Sequence, residues 1–286
     1  LFKISVIIPV FKDWDRLRIC LESLKNQEGV LDLFEVIVVN NEAGAKQVDL
    51  GDFPYQLKLV DELSPGSYAA RNHGVSLAKG KAYLFTDSDC IPNKDWIKQA
   101  IDLLENASQS VFAGKIELFS KADNVFVDFD RAFAFPNERY VAKENFGVTA
   151  NLLVRKEVVE AVGDFNSKMM TGGDSEFCNR AVRAGFQISY APLMIIKHPS
   201  RESWDELATK ARRFGGRLPK SPNRLMVFVK LLGKFRIRIS DHQDIWNLSD
   251  RTFTRRLSFS LIKQSLRWIE AMESMGVFLG KKPGRL

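Results

Sequence analysis

Residues 81–92 read KAYLFTDSDCIP. Four apolar residues, Ala82 to Phe85, run through Thr86 into two acids two positions apart, Asp87 and Asp89. A short continuous apolar run of this kind fits a strand buried on both faces. The acids then stand at the rim of a sheet, and on an extended backbone this spacing puts them on the same side. Like charges held close together repel, so the pair calls for a cation, and carboxylate oxygens suit a hard divalent ion.

Upstream, the same pattern recurs. Ile4 to Val10, ISVIIPV, is a β-branched run ending near Pro9. Asp13 or Asp15 can cap the helix that follows, where Leu17, Cys20, Leu21 and Leu24 recur at helical spacing. Phe34 to Val39 is a second strand, ending in Asn40-Asn41-Glu42, and Leu57 to Val60 a shorter third. Ser64-Pro65-Gly66-Ser67 is a turn before a helix from Tyr68 to Ala78, which Gly80 stops. This β-α-β-α-β alternation predicts an α/β fold with a doubly wound sheet. Ligands in such sheets lie outside the carboxyl ends of the strands. The segments after Val10, Val39 and Phe85 therefore converge on one crevice.

Downstream, Pro92 to Asp95 opens a helix with Trp96, Ile97, Ala100, Ile101 and Leu104 facing inward. Ser110 to Phe119 reads as a strand, and so does Gly147 to Val154, which carries Asn151. The aromatic-rich stretch 120–147 shows no period and is expected to be an irregular cover or acceptor platform. In TGGDSEF, Gly172 and Gly173 precede Asp174 and Glu176 at the start of a helix that ends at Gly185. By itself, Asp174 there is explained as a helix cap facing the positive end of the dipole. Phe186 to Ala191 is a further strand, followed by a loop carrying His198, where a surface position is the ordinary expectation.

The chain has 286 residues and a net charge of +7. The charge is uneven. Residues 201–286 hold 19 Lys+Arg against 8 Asp+Glu, whereas residues 1–200 hold 23 against 27. The last third therefore suits an anionic partner. Pro219 and Pro222 mark a boundary there. Beyond it, Leu225 to Phe235 and Phe253 to Leu279 read as basic amphipathic helices, with a basic tail from Lys281 to Arg285. On the second helix Leu257, Leu261, Ile262, Leu266, Trp268, Ile269 and Met272 lie opposite Arg256, Lys263 and Arg267. Such helices lie in a membrane interface, pack on the rest of the chain, or form a homodimer. No apolar run reaches membrane-spanning length. The start of the sequence does not read as a signal peptide. Cys20, Cys90 and Cys178 are odd in number and far apart, which argues against disulfides or a zinc site and fits a reducing cytoplasm.

Several stretches together resemble the family 2 glycosyltransferases of the GT-A fold. They are SVIIPVFKDWDRLRICLESL, EVIVVNNEAG, PGSYAARNHGVSLAKGKAYLFTDSDC and GGDSEFCNRAVRAGF, followed by His198. The resemblance spans about residues 3–217. It implies a GT-A Rossmann-like mixed sheet flanked by helices over residues 1–218, with a nucleotide-binding half to about residue 92 and an acceptor-binding half over 93–218. Residues 219–286 would be a helical extension.

The resemblance also implies a metal-dependent inverting enzyme moving one sugar from a nucleotide-diphosphate sugar, with a UDP-sugar favoured, to a saccharide or lipid-linked acceptor. Pro9, Val10 and Phe11 would line the base pocket. Asn40, Asn41 and Glu42 stand where the family commonly has an Asp-rich turn at base or ribose. Arg71 and Asn72 would approach the nucleotide, with Ser88 beside it. Asp87 would meet ribose or metal, and Asp89 with His198 would complete a Mn²⁺ or Mg²⁺ site. Asp174 falls on the catalytic base, with Gly173, Glu176 and Asn151 on the acceptor side; Glu176 positions the acceptor or anchors a loop. The QxxRW motif and membrane spans of processive polysaccharide synthases are missing, which favours one sugar at a time. The implied setting is bacterial surface-polysaccharide or glycolipid assembly, in the cytoplasm or peripheral on the inner membrane face.

Two other classes share some of these features. A sugar-phosphate nucleotidyltransferase would carry a Gly-rich basic loop after the first strand, where this chain has Phe11-Lys12-Asp13-Trp14. A non-catalytic protein binding anionic ligands through the basic third is the other, and the acids gathered at the crevice argue against nucleic acid there.

Overall fold

The computed structural model describes residues 2–42, 44, 48–218 and 223–281. The expected boundary at Pro219 and Pro222, and the tail beyond Lys281, lie outside the described residues. In chain order the elements are β1 (Ile4–Val10), α1 (Trp14–Lys25), β2 (Phe34–Asn40), β3 (Gln56–Asp61), α2 (Ser67–Leu77), β4 (Ala82–Thr86), β5 (Ile91–Pro92), α3 (Trp96–Asn106) and β6 (Val111–Phe119). They continue with α4 (Val125–Phe133), α5 (Asn137–Glu144), β7 (Asn151–Arg155), α6 (Lys156–Val162), α7 (Gly173–Arg183) and β8 (Ile188–Pro199). Four helices end the chain: α8 (Trp204–Gly215), α9 (Arg224–Lys234), α10 (Ile239–Trp246) and α11 (Phe253–Phe278).

These elements form two compact units. One comprises residues 1–119 and 135–199, the other residues 120–134 and 200–286. The first holds an eight-stranded mixed sheet in the order β3-β2-β1-β4-β7-β6-β8-β5. β1 lies parallel to β2 and β4, and β2 parallel to β3, so the first half is the expected doubly wound layout. β7 then runs antiparallel to both β4 and β6, which makes the sheet mixed. β1, β2 and β4 are buried along almost their whole length, which is why they read as unbroken apolar runs. Close packing holds α2 against β1: a Cβ on Gly74 would come within 2.6 Å of the Ile7 side chain. A Cβ on Gly80 would strike the Ser5 backbone nitrogen at 2.6 Å, so that turn can lie against β1 only with glycine.

Two expectations are corrected here. The stretch 120–147 is not irregular, because it forms α4 and α5. Asn124 caps α4 by accepting from the Phe126 and Val127 N–H groups. Both helices are short, so neither shows enough turns for a clear period. The strand expected to stop at Ala191 continues as β8 to Pro199, interrupted by a register shift opposite Gly114 and Lys115. That irregularity, around Pro192, breaks the alternation in the sequence and hides the strand's second half.

The second unit has a core of Phe129, Leu207, Ile245, Phe259 and Ile262. Phe129 and Phe133 of α4 meet Phe259 of α11 edge-on, with ring centroids 5.6 and 6.0 Å apart. α8 and α11 approach closely at Gly215, where a Cβ would lie 2.6 Å from the Glu270 carbonyl oxygen. The apolar face expected on α11 is therefore divided. Ile262 is in the core, while Leu257, Leu261, Trp268 and Met272 are exposed. Among the described residues no helix is long and apolar enough to cross a membrane.

Candidate active site

The site lies at the carboxyl ends of β1, β2 and β4 in the first unit. β4 delivers Asp87, but the backbone does not stay extended beyond it. The Cys90 N–H donates to the Asp87 carbonyl at 3.2 Å and closes a turn. The two acids consequently have different partners, and the extended-backbone geometry expected for them does not hold. Asp87 Oδ1 accepts from Arg71 Nη2 at 2.5 Å, and the arginine is buried, with its cation 5.7 Å from the Tyr68 ring. Arg71 Nε is buried with no hydrogen-bond partner among the described residues. Asp89 has its Oδ1 3.6 Å from His198 Nε2 and its Oδ2 3.7 Å from Arg16 Nη1.

His198 is buried on β8 rather than exposed in a loop. Its Nδ1 lies 2.7 Å from the Pro199 carbonyl oxygen. A carbonyl only accepts, so Nδ1 carries the hydrogen, and in the neutral tautomer that leaves Nε2 free to present its lone pair on the side of Asp89. That tautomer and that second-sphere carbonyl are what a metal-ligating imidazole requires. Asp89, Cys90 and His198 each present a donor atom, all within 4.8 Å of one another. Burial, then the charges of Asp89 and Asp87, push the Cys90 thiol well above its ordinary value. The sulfur lies 3.9 Å from both Asp89 Oδ1 and the Ala150 carbonyl oxygen, as a protonated donor. Burial also raises the Asp89 carboxyl, and His198 opposes that. A carboxylate paired with an imidazole fits Mn²⁺, and Mg²⁺ less well.

Asp174 is the second centre. The αL conformation of Gly172, φ 75°, starts α7, so Asp174 is inside the helix and not its cap. Its carboxylate accepts from Thr149 Oγ1 at 3.2 Å and from the Thr149 N–H at 3.4 Å. Tyr68 also bonds to it, while the same hydroxyl accepts from the Gly173 N–H at 2.9 Å. Burial raises the Asp174 carboxyl above the ordinary carboxylate value; Arg71 and the Tyr68 bond lower it, and Asp87 raises it. Burial and the Asp174 charge push the Tyr68 phenol up, so it stays a donor. A carboxylate has about four lone-pair positions. Three donors hold this one and leave room for an incoming hydroxyl.

The remaining expected residues divide into those facing the crevice and those bracing it. Phe11 is exposed at the end of β1, whereas Val10 lies in the core and its carbonyl accepts from the Asn41 N–H. Pro9 is paired opposite Val39 within the sheet. Asn40 Nδ2 donates to Asp61 at 2.7 Å and its Oδ1 accepts from the Glu42 N–H. Asn41 clamps the turn before α2, donating to the Glu62 and Ser64 carbonyls and accepting from the Gly66 N–H, each at 2.8 Å. Glu42 Oε1 is 4.0 Å from Lys12 Nζ. Ser88 donates to Asp13 at 3.4 Å.

Three of the expected residues are bonded within the protein. Asn72, expected at the nucleotide, forms a two-way bracket with the Phe165 backbone at 2.8 and 3.0 Å. Asn151, expected on the acceptor side, has no exposed surface. It accepts from Trp96 Nε1 and donates to the Lys115 and Met194 carbonyls, so it ties β7 to its neighbours. Glu176 holds Arg180 through Nε at 2.9 Å and Nη2 at 3.1 Å, and Arg180 in turn holds the Gly163 and Asp164 carbonyls. It anchors a loop. Gly173 is fixed by packing, since a Cβ would meet the Tyr68 ring at 2.6 to 2.9 Å.

With this geometry, the family model for glycosyl transferase family 2 matches residues 5–163. The chain belongs to glycosyl transferase family 2. It is 30% identical over 218 residues to the glycosyltransferase AglE of Haloferax volcanii, covering 74% of this chain and 71% of AglE. It is 24% identical over 224 residues to the pre-mycofactocin glycosyltransferase of Mycobacterium tuberculosis, of which it spans 46%. Among solved structures, the mannosyltransferase PcManGT from Pyrobaculum calidifontis, in complex with GDP-Man and Mn²⁺, superposes with a TM-score of 0.61 at 15% identity. It covers 96% of this chain and 87% of that one. TarS 1–349 of S. aureus, in complex with UDP, superposes at 0.55 and 15% identity, over 98% and 92%. These neighbours are GT-A glycosyltransferases, and the mixed sheet described above is that fold.

In this family 2 enzyme, Tyr68 and Thr149 surround Asp174, and sequence reading passes over both. Tyr68, in the first turn of α2, reads only as the start of a helix, and Thr149 sits in a stretch read only as strand. The one available signal is the pair Gly172-Gly173, whose lack of side chains makes room for a bulky neighbour.

Proposed function

We propose that this glycosyltransferase moves one sugar from a nucleoside-diphosphate sugar, with a UDP-sugar favoured, to the hydroxyl of a saccharide or lipid-linked acceptor, inverting the anomeric centre. The observation that carries the reading is the arrangement around Arg71. Its guanidinium holds Asp87 on the donor side and also acts electrostatically on Asp174, so one cation ties the two centres together. Asp89 and His198 would hold Mn²⁺, or Mg²⁺, which supplies charge neutralisation for the leaving diphosphate when bound. Arg71, whose Nε has no partner among the described residues, adds a donor toward the same phosphates. Phe11, together with the Asn40-Asn41-Glu42 turn, is assigned to the base and ribose.

Asp174 takes the acceptor proton. Its raised affinity for a proton, from burial, suits a base working near neutral pH. With a single base and no second carboxylate acting as nucleophile, displacement proceeds once, from the face opposite the leaving group. The name of a Methanococcus voltae relative, 21% identical, describes transfer to a dolichyl-linked sugar phosphate. The name of a Bacillus spizizenii relative describes transfer to poly(ribitol-phosphate). Acceptors bearing phosphate are therefore proposed here, in surface-polysaccharide or glycolipid assembly. The exposed apolar stripes on α9 and α11, among basic side chains, support a peripheral position on the inner membrane face.

The test is a screen of UDP-, GDP- and dTDP-sugars with Mn²⁺, reading nucleoside diphosphate release. Asp174→Asn is expected to keep donor binding and lose about a hundred- to ten-thousand-fold in transfer. Release of pyrophosphate instead would indicate a nucleotidyltransferase. Near wild-type turnover by Asp174→Asn would remove that residue from its role.

A further inference from the structure

The second unit contains a cavity of about 700 Å³ that the transfer reaction, as derived above, does not use. That volume is in the range of sites for drug-sized ligands. Its lining is of two kinds. Phe129, Phe133, Leu207, Phe214 and Leu266 form an apolar surface. Around them stand six cations, Lys210, Lys230, Lys234, Arg238, Lys263 and Arg267, against two acids, Asp130 and Glu270. Both acids are engaged inside the unit: Glu270 with Lys234 at 3.2 Å, and Asp130 with Arg201 at 3.1 Å. By composition the lining carries more basic than acidic side chains.

Four elements contribute, α4, α8, α9 and α11, so the cavity is built by the packing of the unit and is not a groove on one helix. Phe129 and Phe133 lie 5.1 Å apart, and Lys263 Nζ sits 5.2 Å from the centre of the Phe133 ring. Cation and aromatic wall thus adjoin. Such a lining suits a ligand with an anionic end and a hydrocarbon body.

We propose that this cavity binds a phosphate ester carried on a single hydrocarbon chain, with the chain on the phenylalanines and leucines and the phosphate among the lysines and arginines. The use of such a ligand as acceptor rests on the proposed transferase reading; the binding does not. Lys210 is consistent with this assignment. Desolvation, then Arg201, pushes its amine down to about 7. Asp130 opposes that shift, and an anion arriving beside the amine would favour the ammonium further.

Calorimetric titration of the full chain with dodecyl phosphate, below its micelle concentration and without donor, tests the binding. Saturable, salt-sensitive binding is expected. Lys230→Glu combined with Arg238→Glu, both exposed, is expected to weaken it by about tenfold or more. Lys98→Glu, an exposed change in the first unit, is expected to leave it unchanged. Three results overturn the inference. Equal binding of dodecyl maltoside means the anion is not read. Equal binding of inorganic phosphate means the chain is not read. Unaltered affinity in the double variant, with a wild-type melting curve, places the ligand elsewhere. Binding of UDP-sugar with Mn²⁺ is measured separately on the wild-type protein. Its failure would overturn the donor assignment and leave the dodecyl phosphate result standing.

Discussion

Tyr68→Phe removes one oxygen that has two jobs. The hydroxyl accepts from the Gly173 N–H at 2.9 Å and bonds to the Asp174 carboxylate. A hydrogen bond to a charged group is worth about 1.5–3 kcal/mol, and one pKa unit is about 1.4 kcal/mol. Without the donor, the Asp174 proton affinity should rise by about one to two units above its already raised position. Arg71 and Thr149 remain to limit the rise, while Asp87 adds to it. The base must be ionised to work, so the acid limb of kcat/KM moves to higher pH by that amount. The assay is nucleoside diphosphate release across pH, with acceptor or with water.

The same change has a stability signature with a definite sign. Because the folded protein holds Asp174 more easily protonated than the unfolded chain, that contribution is fully present below the unfolded value. It is lost as pH rises through the folded one. Tyr68→Phe raises the folded value further. The gap in stability between wild type and variant should therefore be widest near neutral pH and narrow in acid. Beneath it lies a pH-independent loss of about 1–3 kcal/mol, from the buried Gly173 N–H left without an acceptor. An acid limb that coincides with the wild type, together with a gap that does not vary with pH, would refute the assignment and leave Tyr68 as packing alone.

Gly173→Ala places a methyl group 2.6 to 2.9 Å from the Tyr68 ring and should cost about 1–3 kcal/mol, read as a lowered melting temperature. The overlap also displaces the Tyr68 hydroxyl, so the acid limb should move as in Tyr68→Phe; a variant with both properties of the wild type would count against the close approach. Asp89→Asn and His198→Gln should each weaken Mn²⁺-dependent donor binding by about ten- to a hundred-fold, measured by titration with and without the ion. Binding that no longer responds to the ion in wild type would dissolve the metal assignment. Leu225→Glu with Val229→Glu, on the exposed stripe of α9, should reduce co-sedimentation with anionic vesicles. Unchanged partitioning would exclude that face. Point changes are needed because α11 supplies Phe259 and Ile262 to the core of the second unit, so deleting it would unfold what is to be tested.

What could be read from the residues follows how locally each feature is encoded. β1, β2 and β4 are buried on both faces, so their apolar runs are continuous and their ends can be placed within a residue or two. The acids after β4 and the Gly-Gly-Asp segment are legible because each lies directly after a strand or before a helix. β8 was half hidden by its register shift near Gly114, and its second half carries His198. The ordinary expectation of a surface loop then misplaced a buried imidazole. Asn72, Asn151 and Glu176 show a different limit. A polar side chain near a motif can be bonded to substrate or to backbone, and spacing does not distinguish the two. All three turned out to hold backbone or neighbouring side chains in place.

The division of labour around Asp87 and Asp89 follows from the same limit. Read as an extended pair, the two acids repel and share one cation. The turn closed by the Cys90 N–H separates them, and each then meets a different positive or polar partner: Arg71 for Asp87, and His198 and Arg16 for Asp89. Two acids so separated need not compete for a single ion. Asp87 holds Arg71, which reaches Asp174 electrostatically, and Asp89 with His198 would then be left to hold an ion. Exchanging Asp87 for Asn should therefore disturb Asp174 as well as the donor. Losing the Asp87 charge lowers the Asp174 proton affinity directly, and the freed Arg71 cation lowers it further. The acid limb should move to lower pH, opposite in direction to Tyr68→Phe. A shift in the same direction for both variants would show that Arg71 does not couple the two centres.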